Sequence, residues 1–173
     1  MEHLVDVLRA RRSVRRFELE PIPQASLEVL REAVLRAPSS RGLDSRRFVF
    51  VSDPAMLEEL SRSRDHGSAF IAGAALGIVV CGYPDVTDCW VEDCSIAATA
   101  AQLAATDLGL GSCWIQIRNR TASDGTSSGD WLRKVLGIET TLEVECLIAV
   151  GVPAAVPEPR PSQALRWESI SER

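Results

Sequence analysis

The spacing of apolar residues along the chain predicts helices and strands in alternation. Apolar side chains recur at the period of a helix with one buried face in five segments: 2–8, 24–37, 53–64, 90–108 and 131–136. Short apolar runs predict strands over 48–51, 76–81, 110–117 and 142–150. This alternation, around one long central helix, favours an α+β or α/β sandwich over a helical bundle or an all-β fold.

The longest predicted helix, 90–108, is built mainly of small residues. Asp88 is placed to cap its amino end, and Gly109 is placed to end it. Residues 96–105 are small on every face, and a helix that is apolar nearly all round is normally buried. The helix is therefore either the central core helix or part of a subunit interface, and both interpretations stay open.

Proline and polar residues mark the connections between these elements. Pro21 and Pro23 break the backbone before the second helix, and polar turn formers fill the loops 39–45 and 118–129. Residues 153–161 contain four prolines, too many for a helix or a central strand, so we expect an extended tail that lies on another surface. The 173 residues contain no internal repeat, and we expect a single domain over 1–173.

Five arginines fall within eight positions, 9–16, of a chain whose formal net charge is −5. One or two of them could simply stabilise the carboxyl end of the first helix. Five are too many for that role, and Arg11, Arg12 and Ser13 together offer two guanidinium groups and a hydroxyl donor that suit a phosphate. The charge pattern therefore predicts an anion site. Without a longer basic stripe, nucleic acid is an unexpected partner.

The cysteines and the apolar runs limit the class of protein. Five cysteines without a CxxC pair, and only two histidines, indicate buried free thiols better than a metal site. The longest apolar stretch, 69–81, is shorter than a membrane-spanning helix, and no signal peptide pattern opens the sequence, so we expect a soluble, cytoplasmic protein.

The sequence contains no recognisable set of catalytic side chains. The GxSxG, HExxH, P-loop and GxGxxG motifs are all missing. Cys113 has no candidate base nearby in sequence. If the protein is an enzyme, we expect a cofactor to supply the chemistry, with the arginines binding its phosphate.

Several motifs in order resemble the FMN-dependent nitroreductase family over nearly the whole chain. They are RRSVRRF at 11–17, APSS at 37–40, DCWVED at 88–93, GLGSCWI at 109–115 and LIAVGVP at 147–153. The resemblance implies an α+β fold, a sandwich of a mixed central sheet flanked by helices. It also implies a homodimer formed through long central helices and an exchanged C-terminal segment, with FMN at each end of the interface.

The resemblance also implies the residues that bind FMN. Arg11, Arg12 and Ser13 would contact the ribityl phosphate, and Arg15 would lie near N1 and O2 of the ring. Arg160 would also contact the phosphate. The partner subunit would contribute the loop with Pro38, Ser39, Ser40 and Gly42. On the other side of the ring, a backbone amide would face N5 and O4 in the stretch formed by Trp114, Ile115 and Gln116. The implied reaction takes hydride from NAD(P)H and passes it through flavin N5 to a nitroaromatic or a quinone.

The chain departs from the family pattern in two places. The family usually has Asn and then Gln-Pro-Trp, where this chain has Gly42 and then Asp44, Ser45 and Arg46. Glu158 stands where a second basic tail residue is common. These differences leave three interpretations open: the nitroreductase reaction, a different flavin reaction such as dehydrogenation or dehalogenation, and a non-catalytic nucleotide-binding protein.

Overall fold

A four-stranded sheet forms the centre of the computed structural model, which describes residues 3–173. The strands are β1 (Arg46–Val51), β2 (Leu76–Gly82), β3 (Gly111–Gln116) and β4 (Glu143–Gly151), in the spatial order β1-β2-β4-β3. Every neighbouring pair is antiparallel. The family resemblance implied a mixed sheet, but these four strands contain no parallel pair. The one parallel pairing in residues 3–173 is an isolated bridge from Ser112 of β3 to Ser13, which lies outside the four strands.

Five α-helices surround this sheet in the described part of the chain: α1 (Leu4–Ala10), α2 (Gln24–Arg36), α3 (Pro54–Leu60), α4 (Trp90–Asp107) and α5 (Ser128–Leu136). Short 3₁₀ turns lie at Ser40–Gly42, Ala69–Gly73, Ser162–Ala164 and Trp167–Ser169. None of the helices in residues 3–173 is long and apolar enough to cross a membrane.

The helices cover both faces of the sheet, because alternate strand residues point to opposite sides. On one face, α2 and α4 pack through small and aliphatic side chains against Ile78, Val80, Ile148 and Val150. On the other face, α3, α5 and the turn Ala69–Gly73 pack against Val79, Cys81, Leu147 and Ala149. The predicted sandwich of helices on a central sheet is therefore confirmed.

Several predicted helix ends were wrong. Helix α1 runs to Ala10 rather than residue 8, and residue 2 of that prediction lies outside the described residues. Helix α5 begins at Ser128 rather than residue 131. Helix α3 ends at Leu60 rather than near residue 64, because Ser61, Arg62 and the residues after them form turns. The amino-terminal cap of α4 is Cys89 rather than Asp88, whose carboxylate lies 3.7 Å from the guanidinium of Arg41.

All five cysteines are free thiols, and four of them are buried. Burial raises the pKa of the Cys81 and Cys94 thiols to about 12, so they stay protonated and unreactive in the folded protein.

Helix α4 is both a core helix and a surface helix. Ala97, Ala98, Ala101 and Ala105 are fully buried, whereas Ile96 on the opposite face is 43% exposed. The tail from residue 154 onward is exposed along its whole length, including Leu165, Trp167 and Ile170. The single chain therefore leaves an apolar helix face and an apolar tail uncovered.

Candidate cofactor-binding site

The arginine segment, defined here as residues 11–16, leaves α1 and runs beside β3. The Val14 amide donates to the carbonyl oxygen of Ser112 at 2.9 Å. The Val14 side chain is 3% exposed, whereas Ser13 and Arg15 on either side of it are exposed. Gly111 permits this approach, because a Cβ at that position would lie 2.8 Å from Cβ of Val14. The segment is therefore fixed by Val14 and presents its polar side chains outward.

A cavity of about 1130 Å³ opens between the arginine segment and the tail. Within residues 3–173, no carboxylate side chain lines it. Its polar lining consists of Arg9, Arg11, Arg12, Ser13, Arg15, Arg160 and Ser162, and its apolar lining includes Val5, Leu8, Leu165 and Trp167. The structure thus brings five of the expected phosphate and ring contacts together: Arg11, Arg12, Ser13, Arg15 and Arg160.

The guanidinium groups in this cavity differ in whether they have an anionic partner. Arg9 pairs with Asp6 at 2.8 Å. Among residues 3–173, the other four arginines of the lining have no carboxylate within ion-pair distance: Arg11, Arg12, Arg15 and Arg160. Arg12 donates instead to the backbone carbonyl of Glu158, which ties the tail to the arginine segment. A cluster of cations without anions suits an anionic ligand.

Phe70 is a further residue of this region that sequence reasoning missed. The guanidinium carbon of Arg15 lies 5.8 Å from the centre of the Phe70 ring, a cation–π contact. Cys113 also lies nearby: burial raises the pKa of its thiol, while the charge of Arg15 and contact with Ser13 lower it. No sequence pattern marked Phe70, because it sits in an apolar stretch that contains the next strand.

The outer edge of β3 offers backbone donors. Antiparallel pairing turns the amide and carbonyl of alternate residues toward the neighbouring strand and those of the residues between them away from it. Because the Ser112 carbonyl points outward to Val14 and the Ile117 amide points inward to Glu145, the amides of Trp114 and Gln116 point outward. They face the side on which the arginine segment lies.

The side chains on β3 have separate roles. Ile115 is 1% exposed and packs in the core, and its backbone amide, between those of Trp114 and Gln116, points inward to β4. The Trp114 indole donates to Oε1 of Gln116 at 3.0 Å, and Nε2 of Gln116 donates to the Arg118 carbonyl at 3.2 Å. These bonds fix both polar side chains on the α4 side of the sheet.

The remaining expected contacts, Pro38, Ser39, Ser40 and Gly42, lie at the other end of α4. The Ser40 amide donates to Oδ1 of Asp93 near the amino end of that helix. The arginine segment bonds to Ser112, just beyond its carboxyl end. At about 1.5 Å per residue, Asp93 and Asp107 are separated by about 21 Å. A single chain therefore does not bring these residues to its own cavity.

Comparison with known proteins identifies the family. A model of the nitroreductase family matches residues 8–64 and 57–152. A relative from Archaeoglobus fulgidus, whose name gives NADH dehydrogenase or NAD(P)H nitroreductase as its candidate activity, is 31% identical over 157 residues, or 88% of this chain and 87% of that protein. An FMN-dependent nitroreductase structure from Clostridium difficile matches with a TM-score of 0.94 and 35% identity, covering 97% of this chain and 98% of that one. The NADPH-flavin oxidoreductase of Vibrio harveyi is 28% identical over 93% of this chain and 70% of its own length. This chain belongs to the nitroreductase family.

Proposed function

We propose that the protein is an FMN-dependent oxidoreductase that uses NAD(P)H to reduce an electron-poor acceptor such as a nitroaromatic or a quinone. The observation that carries the proposal is the cavity with four arginines that lack a carboxylate partner within residues 3–173, beside a strand edge with outward amides. The relative from Clostridium difficile is an FMN-dependent nitroreductase, and the one from Vibrio harveyi is an NADPH-flavin oxidoreductase. Both names agree with this proposal.

The residues of the cavity suit the two chemically different ends of FMN. Arg11, Arg12 and Arg160 would hold the phosphate, with the exposed Ser13 hydroxyl as a further donor. Arg15 would lie at the N1 and O2 edge of the ring, where its contact with Phe70 limits its orientation. The outward amides of Trp114 and Gln116 would donate to N5 and O4.

The bound flavin supplies hydride acceptance and donation at N5. The protein binds and orients the ring, places a positive charge at one edge, and leaves space for NAD(P)H and the acceptor to bind in turn. This division of roles agrees with the absence of a recognisable catalytic side-chain motif in the sequence.

We further propose that the site is completed in a homodimer. The loop with Ser39 and Ser40 lies at the amino end of α4, whereas the arginine segment of the same chain lies beyond the carboxyl end of that helix. The loop is therefore available to the cavity of a second copy. The uncovered face of α4 and the exposed tail, which we expect to be exchanged, provide the apolar surface for that contact. Both core layers share one sheet, which supports a single domain over 1–173.

The absorption spectrum of the purified protein, recorded before and after addition of NAD(P)H, tests the proposal. We expect the flavin bands near their usual positions, and we expect them to bleach when NADH or NADPH is added without oxygen. Protein that takes up no flavin after reconstitution would favour a non-catalytic role. Bound flavin that neither nucleotide reduces would favour a different flavin reaction.

A further inference from the structure

The serine loop, defined here as residues 37–46, has an unusual backbone. Three of its residues have positive φ angles: Arg41 at 52°, Gly42 at 67° and Asp44 at 51°. Two of these are not glycine, and non-glycine residues in this conformation cost free energy that the surrounding structure must supply. The loop therefore needs specific contacts to keep its shape.

Arg46 holds the loop through backbone carbonyl groups that accept hydrogen bonds from its side chain. Its side chain is 1% exposed, and its guanidinium donates to the carbonyls of Ala37 at 2.8 Å and Pro38 at 3.2 Å. The same group donates to Oδ1 of Asp44 at 2.6 Å and 3.2 Å. Arg46 is also the first residue of β1, so its backbone is held by the sheet. One buried guanidinium thus joins the first two residues of the loop to its last three.

Asp93 holds the loop through one backbone amide, that of Ser40. Asp93 is 2% exposed, and its Oδ1 accepts the Ser40 amide at 2.7 Å. Within the loop, the Asp44 amide donates to Oγ of Ser39 at 3.1 Å. Because Oγ of Ser39 accepts this bond, its own proton remains free to be donated outward. The partly exposed hydroxyl is then available to a ligand.

We propose that Arg46 and Asp93 are positioning residues that hold the serine loop in its FMN-binding shape before the cofactor arrives. This inference rests on the proposed function. A loop that is already ordered loses less conformational entropy when it binds, so the affinity for FMN is higher. The stretch from Asp44 to Arg46, where the sequence departs from the family pattern, would then support the loop from within, in a chain that has Gly42 where the family usually has Asn.

The first test compares Arg46→Met with Arg133→Met. Arg133 is a matched control because its side chain is 15% exposed and its guanidinium also bonds a backbone carbonyl and carboxylates, those of Leu142, Glu143 and Asp130. It lies outside the proposed site. We expect Arg46→Met to raise the Kd for FMN by about tenfold and Arg133→Met to change it by less than about twofold, even if both lower the Tm.

Two further measurements separate positioning from general stability. Hydrogen exchange in the peptide 38–46 should speed up in Arg46→Met and in Asp93→Asn, while the core strand peptides stay protected. In a background that carries Ser39→Ala and Ser40→Ala, Arg46→Met should raise the Kd by much less than tenfold, because the contacts that it positions are already gone. Arg46→Lys, which keeps the charge but not the fork, should fall between Arg46→Met and the wild type.

Each result has a definite consequence. A folded Arg46→Met protein with an unchanged FMN Kd would overturn the positioning role, and so would a tenfold loss that persists in the double-serine background. If Arg46→Met does not fold, the same comparison is made with Arg46→Lys and Asp93→Asn, and unchanged Kd values there would overturn it. Wild-type protein that binds no FMN would overturn the proposed function and this role together.

Discussion

At the scale of single residues, the arginines of the arginine segment differ in whether they face the cavity. Arg11 lines it and has no carboxylate partner within residues 3–173, whereas Arg16 is exposed and lies outside the lining. Arg11→Ala should therefore weaken FMN binding by about 1.5–3 kcal/mol, a 10- to 150-fold rise in Kd, as for the loss of a charged hydrogen bond. Fluorescence titration measures this, with Arg16→Ala as the control.

The same argument predicts that riboflavin, which lacks the phosphate, binds poorly to the wild type. Equal affinities for riboflavin and FMN would show that the arginines serve another ligand.

Arg15 should affect the reduction potential of bound FMN more than its affinity. The reduced ring carries more negative charge at its N1 and O2 edge than the oxidised ring, so a guanidinium there stabilises the reduced form more. If the difference is about 1–3 kcal/mol, Arg15→Ala should lower the two-electron potential by roughly 20–65 mV. Phe70→Leu, which keeps the charge but removes the ring contact, should give a smaller shift in the same direction.

A redox titration of the FMN-saturated proteins against a reference dye measures both shifts. An unchanged potential in Arg15→Ala would remove this residue from the ring edge.

Charge density along the sequence was enough to predict an anion site, because five arginines in an acidic chain need no structure to stand out. The residues that support the site could not be predicted in this way. Asp93 is 53 positions from Ser40, which it contacts, and Phe70 is equally remote in sequence from Arg15. Their roles depend on packing between distant elements, and their residue types are also common in ordinary cores and surfaces.

At the scale of elements, the close contact between the arginine segment and β3 depends on the absence of a side chain at Gly111. A Cβ there would lie 2.8 Å from Val14, a distance that forces the segment to move. Gly111→Ala should destabilise the protein by about 1–3 kcal/mol, as other overpacked sites do, and should weaken FMN binding. Thermal unfolding and FMN titration check both effects.

The double variant Gly111→Ala, Val14→Gly provides the control, since it removes Cβ and both Cγ atoms of Val14, the atoms that would clash. It should recover most of the FMN affinity. If it does not, the contact is not what holds the arginines in place.

The period of apolar residues was a sound guide to the presence of helices and strands and a weaker guide to their ends. All five helices and all four strands were expected from it and are observed. The end of α3 differs because the residues after Leu60 form local turns, which apolar spacing does not report. The antiparallel strand order β1-β2-β4-β3 could not be predicted from the apolar spacing either, because strand pairing is set by contacts between distant segments.

At the scale of the whole molecule, the uncovered surfaces predict an obligate homodimer. The outer face of α4 exposes Ile96, and the tail exposes Trp167 and Ile170. Covering these side chains would stabilise a dimer relative to any folded monomer, so no folded monomer should be populated. Sedimentation over a wide concentration range measures this, and a compact monomer that still holds FMN would contradict it.

The length of α4 has a genetic consequence. If each site takes its arginines from one subunit and its serine loop from the other, a substitution in the arginines of one subunit and a substitution in the serine loop of the other affect the same site. A heterodimer of Arg11→Ala with Arg46→Met would contain one site with both lesions and one intact site. Co-expressed with different affinity tags, two variants that each bind FMN weakly should therefore complement one another, and the purified heterodimer should bind one FMN tightly.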